Sequence, residues 1–288
     1  MKKYERLSEL VKDIRKFNNL TQGGLAGLLK VDTRTVMRWE SDDSLLKNNK
    51  VKEFAEKLFI PYQVIHNLNS ERPITIYFSI KNRTYSFTSS AVKVIDPSWF
   101  NLDLPKDNER IHMIESKEDI EFVERIQIMQ GNKFPMWKEV FKQSVKIIPD
   151  LNLVLLDQAG FFAGHISIIP LKYTTYLKLK SKEIKENEIS ITDLTSNFGE
   201  KPFVFYYYSL YADSMSSTYC LMNRILTYFN DRKFKDYLFA GITFRDSKIA
   251  LLKEMGLKEV WDNINADEVG FEGTLFEGTF DGFLNENA

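Results

Sequence analysis

Two short apolar patterns, one broken off and the other begun within a dozen residues, constrain this chain more than any other feature. In LTQGGLAGLLKVDTRTVMRWE, residues 20–40, Thr21 precedes the apolar set Leu25, Ala26 and Leu29, and Asp32 precedes Val36 and Trp39. Spacings of three and four place each set on one face of a helix. Thr and Asp carry side-chain oxygens that satisfy the free N–H groups at a helix start. Only Lys30 and Val31 are left for the turn between the two helices. Upstream, Leu7, Leu10, Val11, Ile14 and Phe17 form the stripe of an earlier helix. The pattern predicts three helices, the last two crossing closely at the small residue Ala26.

At 288 residues the chain exceeds one ordinary domain of roughly 100–200 residues, so two are expected. The expected divisions are a head over residues 1–70, a hairpin and linker over 71–107, and a body over 108–288. The hairpin is read from ITIYFSI (74–80) and TYSFT (84–88), which alternate around Lys81, Asn82 and Arg83; it would link the domains or pair across a dimer. Asp96, Pro97, Asp103, Pro105, Asp107 and Asn108 mark a loop before the body. No stretch approaches the roughly 18 apolar residues of a membrane span, so a cytoplasmic protein is expected. The single Cys220 excludes an intrachain disulfide and sits in an apolar helical pattern, where packing is its expected role. Residues 1–70 hold 13 Lys and Arg against 9 Asp and Glu, a modest excess that fits a DNA-contacting head on an acidic body.

The string from Leu20 to Glu40, continued by VKEFAEKLFIPYQVI (51–65), resembles the lambda-repressor-like (Xre-type) DNA-binding family, through Leu20, Thr21, Gln22, Leu25, Ala26, Leu29, Val31, Val36, Trp39 and Glu40. The resemblance implies an all-α, five-helix helix-turn-helix domain. It departs at Lys30 and Phe59, where the family often has glycine. Carried over by position, Gln22 would bind a phosphate, Thr33, Arg34 and Arg38 would face the major groove, and Thr35 and Ser41 would meet backbone phosphates. Arg34 is the first choice for reading a base, because a guanidinium pairs with guanine through two hydrogen bonds. Arg15 and Glu40 match positions that form a partly buried ion pair in that family, a structural role. Double-stranded DNA and a homodimer follow as expected partners.

In the body, strands are expected at Ile111–Ile114, Leu153–Leu156, Phe161–Ile169, Phe203–Tyr211 and Tyr237–Thr243, with helices near 117–129, 135–147, 217–230 and 246–255. LVLLDQAGFFAGHISIIPL (153–171) and RDSKIALLKEMGL (245–257) resemble the central hairpin and closing helix of the GNAT-type N-acetyltransferases, which implies an α/β (α+β) domain with a mixed central sheet. That family holds acetyl-CoA or CoA on a glycine-rich helix start. Here the corresponding stretch is DSMSST (213–218), with Asp213 where a basic or amide residue belongs and no glycine. An aspartate there repels a pyrophosphate. Ser214, Ser216, Ser217 and Thr218 still offer hydroxyls to such a ligand. The family's proton-donating tyrosine falls on Leu252, which has no proton to give.

The aromatic run FVFYYYSLY (203–211) reads as core, and His165 as a satisfied core or cleft histidine. KLKSKEIKEN (178–187) reads as a solvated excursion. With three histidines and no clustered ligand spacing, no metal site is expected, and neither a phosphate-binding loop nor a dinucleotide fingerprint occurs. The expectation is a multidomain transcription regulator without a catalytic residue or resident cofactor. Its body would serve ligand sensing or dimerisation, with a small molecule or acyl-CoA as the ligand. The alternatives are an active acyl-CoA-dependent N-acyltransferase with a DNA-targeting head, and an antitoxin-like regulator that grips another protein.

Overall fold

The computed structural model describes residues 1–89, 110–198, 203–232, 237–254, 256–262 and 272–279; the expected loop at 96–108 lies outside them. The described residues form two compact units. The first holds 1–89 with Leu156–Ala163 and Ala212–Met215, and the second holds the rest. Both combine helices with sheet, so the chain is a multidomain α+β protein.

In the first unit a short strand β1 (Lys2–Tyr4) leads into five helices, α1 (Leu7–Phe17), α2 (Gln22–Leu28), α3 (Thr33–Glu40), α4 (Asn48–Leu58) and α5 (Tyr62–Leu68), and then into strands β2 (Ile76–Ser79) and β3 (Thr84–Ser86). The capping residues act as their chemistry dictates: Thr21 Oγ1 accepts from Gly24 N at 3.0 Å, and Asp32 Oδ1 accepts from Arg34 N at 2.7 Å. Leu10, Ile14, Leu25, Leu29, Val36 and Phe54 are fully buried in one core that also takes in Tyr4, Ile76 and Phe78. Phe17, expected on the buried stripe of α1, is instead half-exposed at its last residue, with Arg83 over its ring at 5.4 Å. The expected hairpin forms within the first unit, where β2 lies between β1 and β3, antiparallel to both.

The second unit contains most of a seven-stranded sheet in the order β4-β5-β6-β7-β8-β10-β9. Its strands are β4 (Ile111–Met113), β5 (Asn152–Leu156), β6 (Phe162–Lys172), β7 (Phe203–Ala212), β8 (Leu238–Thr243), β9 (Lys258–Asp262) and β10 (Thr274–Thr279). The helices α6 (Lys117–Gln130), α7 (Lys138–Ile147), α8 (Tyr173–Lys180), α9 (Met215–Arg232) and α10 (Asp246–Glu254) are interspersed among them. β7 and β8 run parallel, which requires a crossover, and α9 supplies it; β8–β10 and β10–β9 are antiparallel. β6 and β7 are buried along most of their length, and for that reason read as continuous apolar and aromatic runs. The aromatics of 203–208 are core as expected: Phe205 packs edge-on against Phe229 at 5.0 Å and stacks on Phe239 at 5.5 Å.

The excursion after β6 corrects the sequence reading. It begins with α8, which the polar composition of this stretch obscured, and Glu186 within it is buried. Tyr206 donates to Glu186 Oε1 at 2.6 Å and Asn132 Nδ2 donates to its Oε2 at 2.7 Å, so the segment is fastened to the core by a carboxyl group.

Candidate functional site

The turn between α2 and α3 positions an outward helix face. Val31 N donates to Ala26 O at 3.0 Å, closing the chain tightly after Leu29, and Lys30 takes a left-handed φ of 51° to do so. Phe59, the other residue standing where glycine is frequent, also takes a left-handed φ, of 53°. The starts of α2 and α3 come close together, since a Cβ on Gly23 would lie 3.8 Å from Thr33 Oγ1. From the opposite side Lys50 Nζ donates to Leu29 O at 2.7 Å and Lys57 Nζ to Leu28 O at 2.5 Å, two cations at the negative end of α2. Glu53 bridges the two lysines, and their hydrogen bonds hold its carboxyl down at about 2.

With Val36, Trp39 and Glu40 turned into the core, α3 presents Thr33, Arg34, Met37 and Arg38 to solvent. Arg34 and Arg38 are one turn apart on the exposed face, and among the described residues neither has a carboxylate within ion-pair distance. Met37, half-exposed between them, was passed over in the sequence because an apolar residue at that spacing reads as core. Thr35 is half-buried. The exposed Ser41 hydroxyl donates to Asp43 at 2.5 Å, so this position faces an acid.

Behind this face, Arg15 grips Glu40 with two donors, Nε to Oε1 at 2.5 Å and Nη2 to Oε2 at 3.2 Å, while its Nη1 reaches Leu20 O at 3.1 Å. Burial alone would raise the Glu40 carboxyl, but the hydrogen bonds from Arg15 and Gln22 and the Arg15 charge outweigh it and leave it below its ordinary range. Gln22 Nε2 donates to Glu40 Oε2 at 2.8 Å. An amide nitrogen carries two hydrogens, so Gln22 at the start of α2 can hold this bond and still donate outward.

The second expected site has a different character. Asp213 is buried; its N–H donates to Ala163 O at 2.9 Å and its carbonyl accepts from Tyr85 N at 2.7 Å. Burial and the Asp213 charge both push the Tyr85 hydroxyl up, against a hydrogen bond with Ser214. Ser214 belongs to the first unit, while Ser216, Ser217 and Thr218, in the first turn of α9, belong to the second. Ser216 is exposed, Thr218 half-buried and Ser217 buried, so these hydroxyls do not present one common face.

Further along β7, two side chains that sequence reasoning missed cover backbone acceptors: Gln127 Nε2 donates to Tyr208 O, and Gln130 Nε2 to Leu210 O at 2.9 Å. Both lie just beyond the parallel pairing of β7 with β8, which runs from Val204–Leu238 to Tyr207–Gly241. Gly241 is the last β8 residue of that pairing, and a Cβ there would come within 2.8 Å of Tyr207. His165 is a core histidine: its Nε2 lies 2.6 Å from Ser209 Oγ, and burial depresses it to about 3, so it stays neutral. Cys220 is half-buried, Leu252 likewise, and among the described residues no group of three or more His, Cys, Asp and Glu could hold a metal. No helix of the described residues is long and apolar enough to cross a membrane.

Compared with known proteins, the chain matches no family model and no curated protein.

Proposed function

We propose that this chain is a sequence-specific DNA-binding transcription regulator whose first unit is a helix-turn-helix domain of the lambda-repressor-like kind. The observation that carries the reading is the pair Arg34 and Arg38, exposed one turn apart on α3 with no carboxylate within ion-pair distance among the described residues, while the other side of that helix is locked into the core. A helix so anchored can enter the major groove end first, with the two guanidinium groups aimed at base edges and the start of α2, at Gln22, set against a phosphate. One such helix discriminates weakly, so we expect a homodimer on two half-sites about one helical turn apart.

Selection of bound duplexes from a random pool, followed by anisotropy titration, tests this. Arg34→Ala should cost about tenfold or more on the selected duplex and relax the preference at one base pair, whereas Gln22→Ala should weaken all duplexes alike. A pool that returns no enriched sequence sinks the proposal.

The second unit we read as an acetyltransferase-like module used for sensing or dimerisation rather than for acyl transfer. Three features support this. Asp213 sets a buried acid where a pyrophosphate would lie, Leu252 stands where the family has its proton donor, and glutamine side chains take the β7 carbonyls beyond the β8 pairing. Calorimetric titration with acetyl-CoA and with CoA should therefore show no binding; micromolar affinity would turn the reading to a transferase.

A further inference from the structure

Met37 is an apolar residue on an otherwise polar outward face. It is half-exposed in α3, with Arg34 three residues before it and Arg38 directly after it. The other exposed large apolar side chains of the first unit lie where cover runs out. Phe17 and Leu28 are the last residues of α1 and α2, Met1 precedes β1, and Leu45, Ile74 and Phe87 lie outside the helices and strands. Among the described residues of that unit, Met37 alone is exposed within the body of a helix.

The surrounding contacts keep it there. Val36, Trp39 and Glu40 are buried on the opposite side, so α3 cannot rotate to hide Met37 without exposing the core. The nearby acids are engaged elsewhere: Asp32 Oδ1 accepts from Arg34 N at 2.7 Å, Asp42 pairs with Arg6 at 2.6 Å and Asp43 accepts from the Ser41 hydroxyl at 2.5 Å. The outward face of α3 therefore combines two exposed guanidinium groups with one thioether. The cations draw a polyanion, but the thioether adds nothing to that attraction, having no donor and only a weakly accepting sulfur. Its use is in contact with an apolar group. In the major groove the base-pair edges present one such group, the 5-methyl of thymine, whereas the remaining positions are donors and acceptors that a thioether would leave unsatisfied.

We propose that Met37 is a specificity-determining residue that packs on a thymine methyl, within two base pairs of the guanine read by Arg34. Three residues of helix rise about 4.5 Å, against about 3.4 Å per base pair, which sets that separation. The unbranched side chain can settle on the methyl without moving the anchored backbone. This inference rests on reading the first unit as a DNA-binding domain and names one further base of its operator.

The test takes the duplex selected from the random pool and replaces each thymine in turn by deoxyuridine, which lacks only the methyl group. Anisotropy titration of the wild-type chain should show about fourfold weaker binding for one replacement, the contribution of one buried methyl group. That replacement should fall within two base pairs of the position at which Arg34→Ala relaxes the preference. Met37→Ala should bind the thymine and uridine duplexes alike, and Met37→Leu, which keeps an apolar end, should still prefer thymine. The wild-type titration needs no variant and so decides by itself if a variant fails to fold. A selected sequence with no thymine in that range, an affinity unchanged by uridine there, or a methyl preference that persists in Met37→Ala overturns the proposal. A pool that returns no enriched sequence removes the DNA-binding reading and this inference with it, whereas an enriched sequence indifferent to the methyl removes this inference only.

Discussion

Glu40 in the first unit and Glu186 in the second are both buried carboxyls, and they are held in opposite ways. Glu40 receives a guanidinium through two hydrogen bonds and an amide through a third. Among the described residues Glu186 receives neutral donors, the Tyr206 hydroxyl and the Asn132 amide. Burial disfavours charge on both. In the first case the Arg15 pair and the Gln22 bond win, and the carboxyl stays below its ordinary range. In the second, burial wins over the two hydrogen bonds and lifts the group to about 7. The guanidinium beside Glu40 keeps a permanent charge in one unit, whereas the more deeply desolvated Glu186, met by neutral donors, titrates near neutrality in the other.

The largest effect should come from removing that partner. Arg15→Ala strands the Glu40 charge in the core and should destabilise the first unit by about 3 kcal/mol, read from urea unfolding at neutral pH. The double variant Arg15→Met, Glu40→Leu should recover most of it, because an apolar pair leaves no uncompensated charge. If the single variant unfolds like the wild type, the contrast between the two glutamates is broken.

The pH dependences should have opposite signs. Because Glu40 is lowered, its contribution is present above the unfolded carboxylate range near 4.5 and is lost as pH falls through its folded value. Because Glu186 is raised, its contribution is complete below about 4.5 and is lost as pH rises through about 7. At about 1.4 kcal/mol per pH unit, the loss in the second unit by pH 8 is about 3.5 kcal/mol at most. Glu186→Gln should flatten the slope between pH 5 and 8; an unchanged slope assigns it to another group. A smaller change sharpens the picture of the first unit. Lys30 is exposed and pays for a left-handed backbone, so Lys30→Gly should raise stability by about 1 kcal/mol. Phe59→Gly should lower it despite the same relief, since Phe59 is buried and its ring lies 6.1 Å from that of Phe162.

How legible each part was follows from how far its determinants lie apart. Thr21 and Asp32 cap helices whose N–H groups are two or three residues away, and the buried faces of α1–α3 repeat within four residues, so the pattern could be read from the string itself. Strands β4 to β8 could be placed to within about three residues for the same reason, their apolar runs being continuous. β1 could not: three residues with two lysines carry no local strand signal, and they become a strand because Lys2, Lys3 and Tyr4 pair with Phe78, Tyr77 and Ile76. Phe17 fitted the apolar stripe of α1 yet lies where the helix ends and its face runs out of core.

The sequence by itself determined most of the local elements, though not β1 or α8, together with the caps, the charge types on α3 and the absence of glycine at 213–218. Only the tertiary structure decided which charges are compensated. Among the described residues Arg34 and Arg38 have no acid within ion-pair distance, Arg15 meets Glu40 from 25 residues away, and Glu186 meets Asn132 from 54 residues away. Propensity acts over a turn of chain, whereas the energy of a charge depends on whatever the fold brings within a few ångströms of it, and no local pattern encodes that distance.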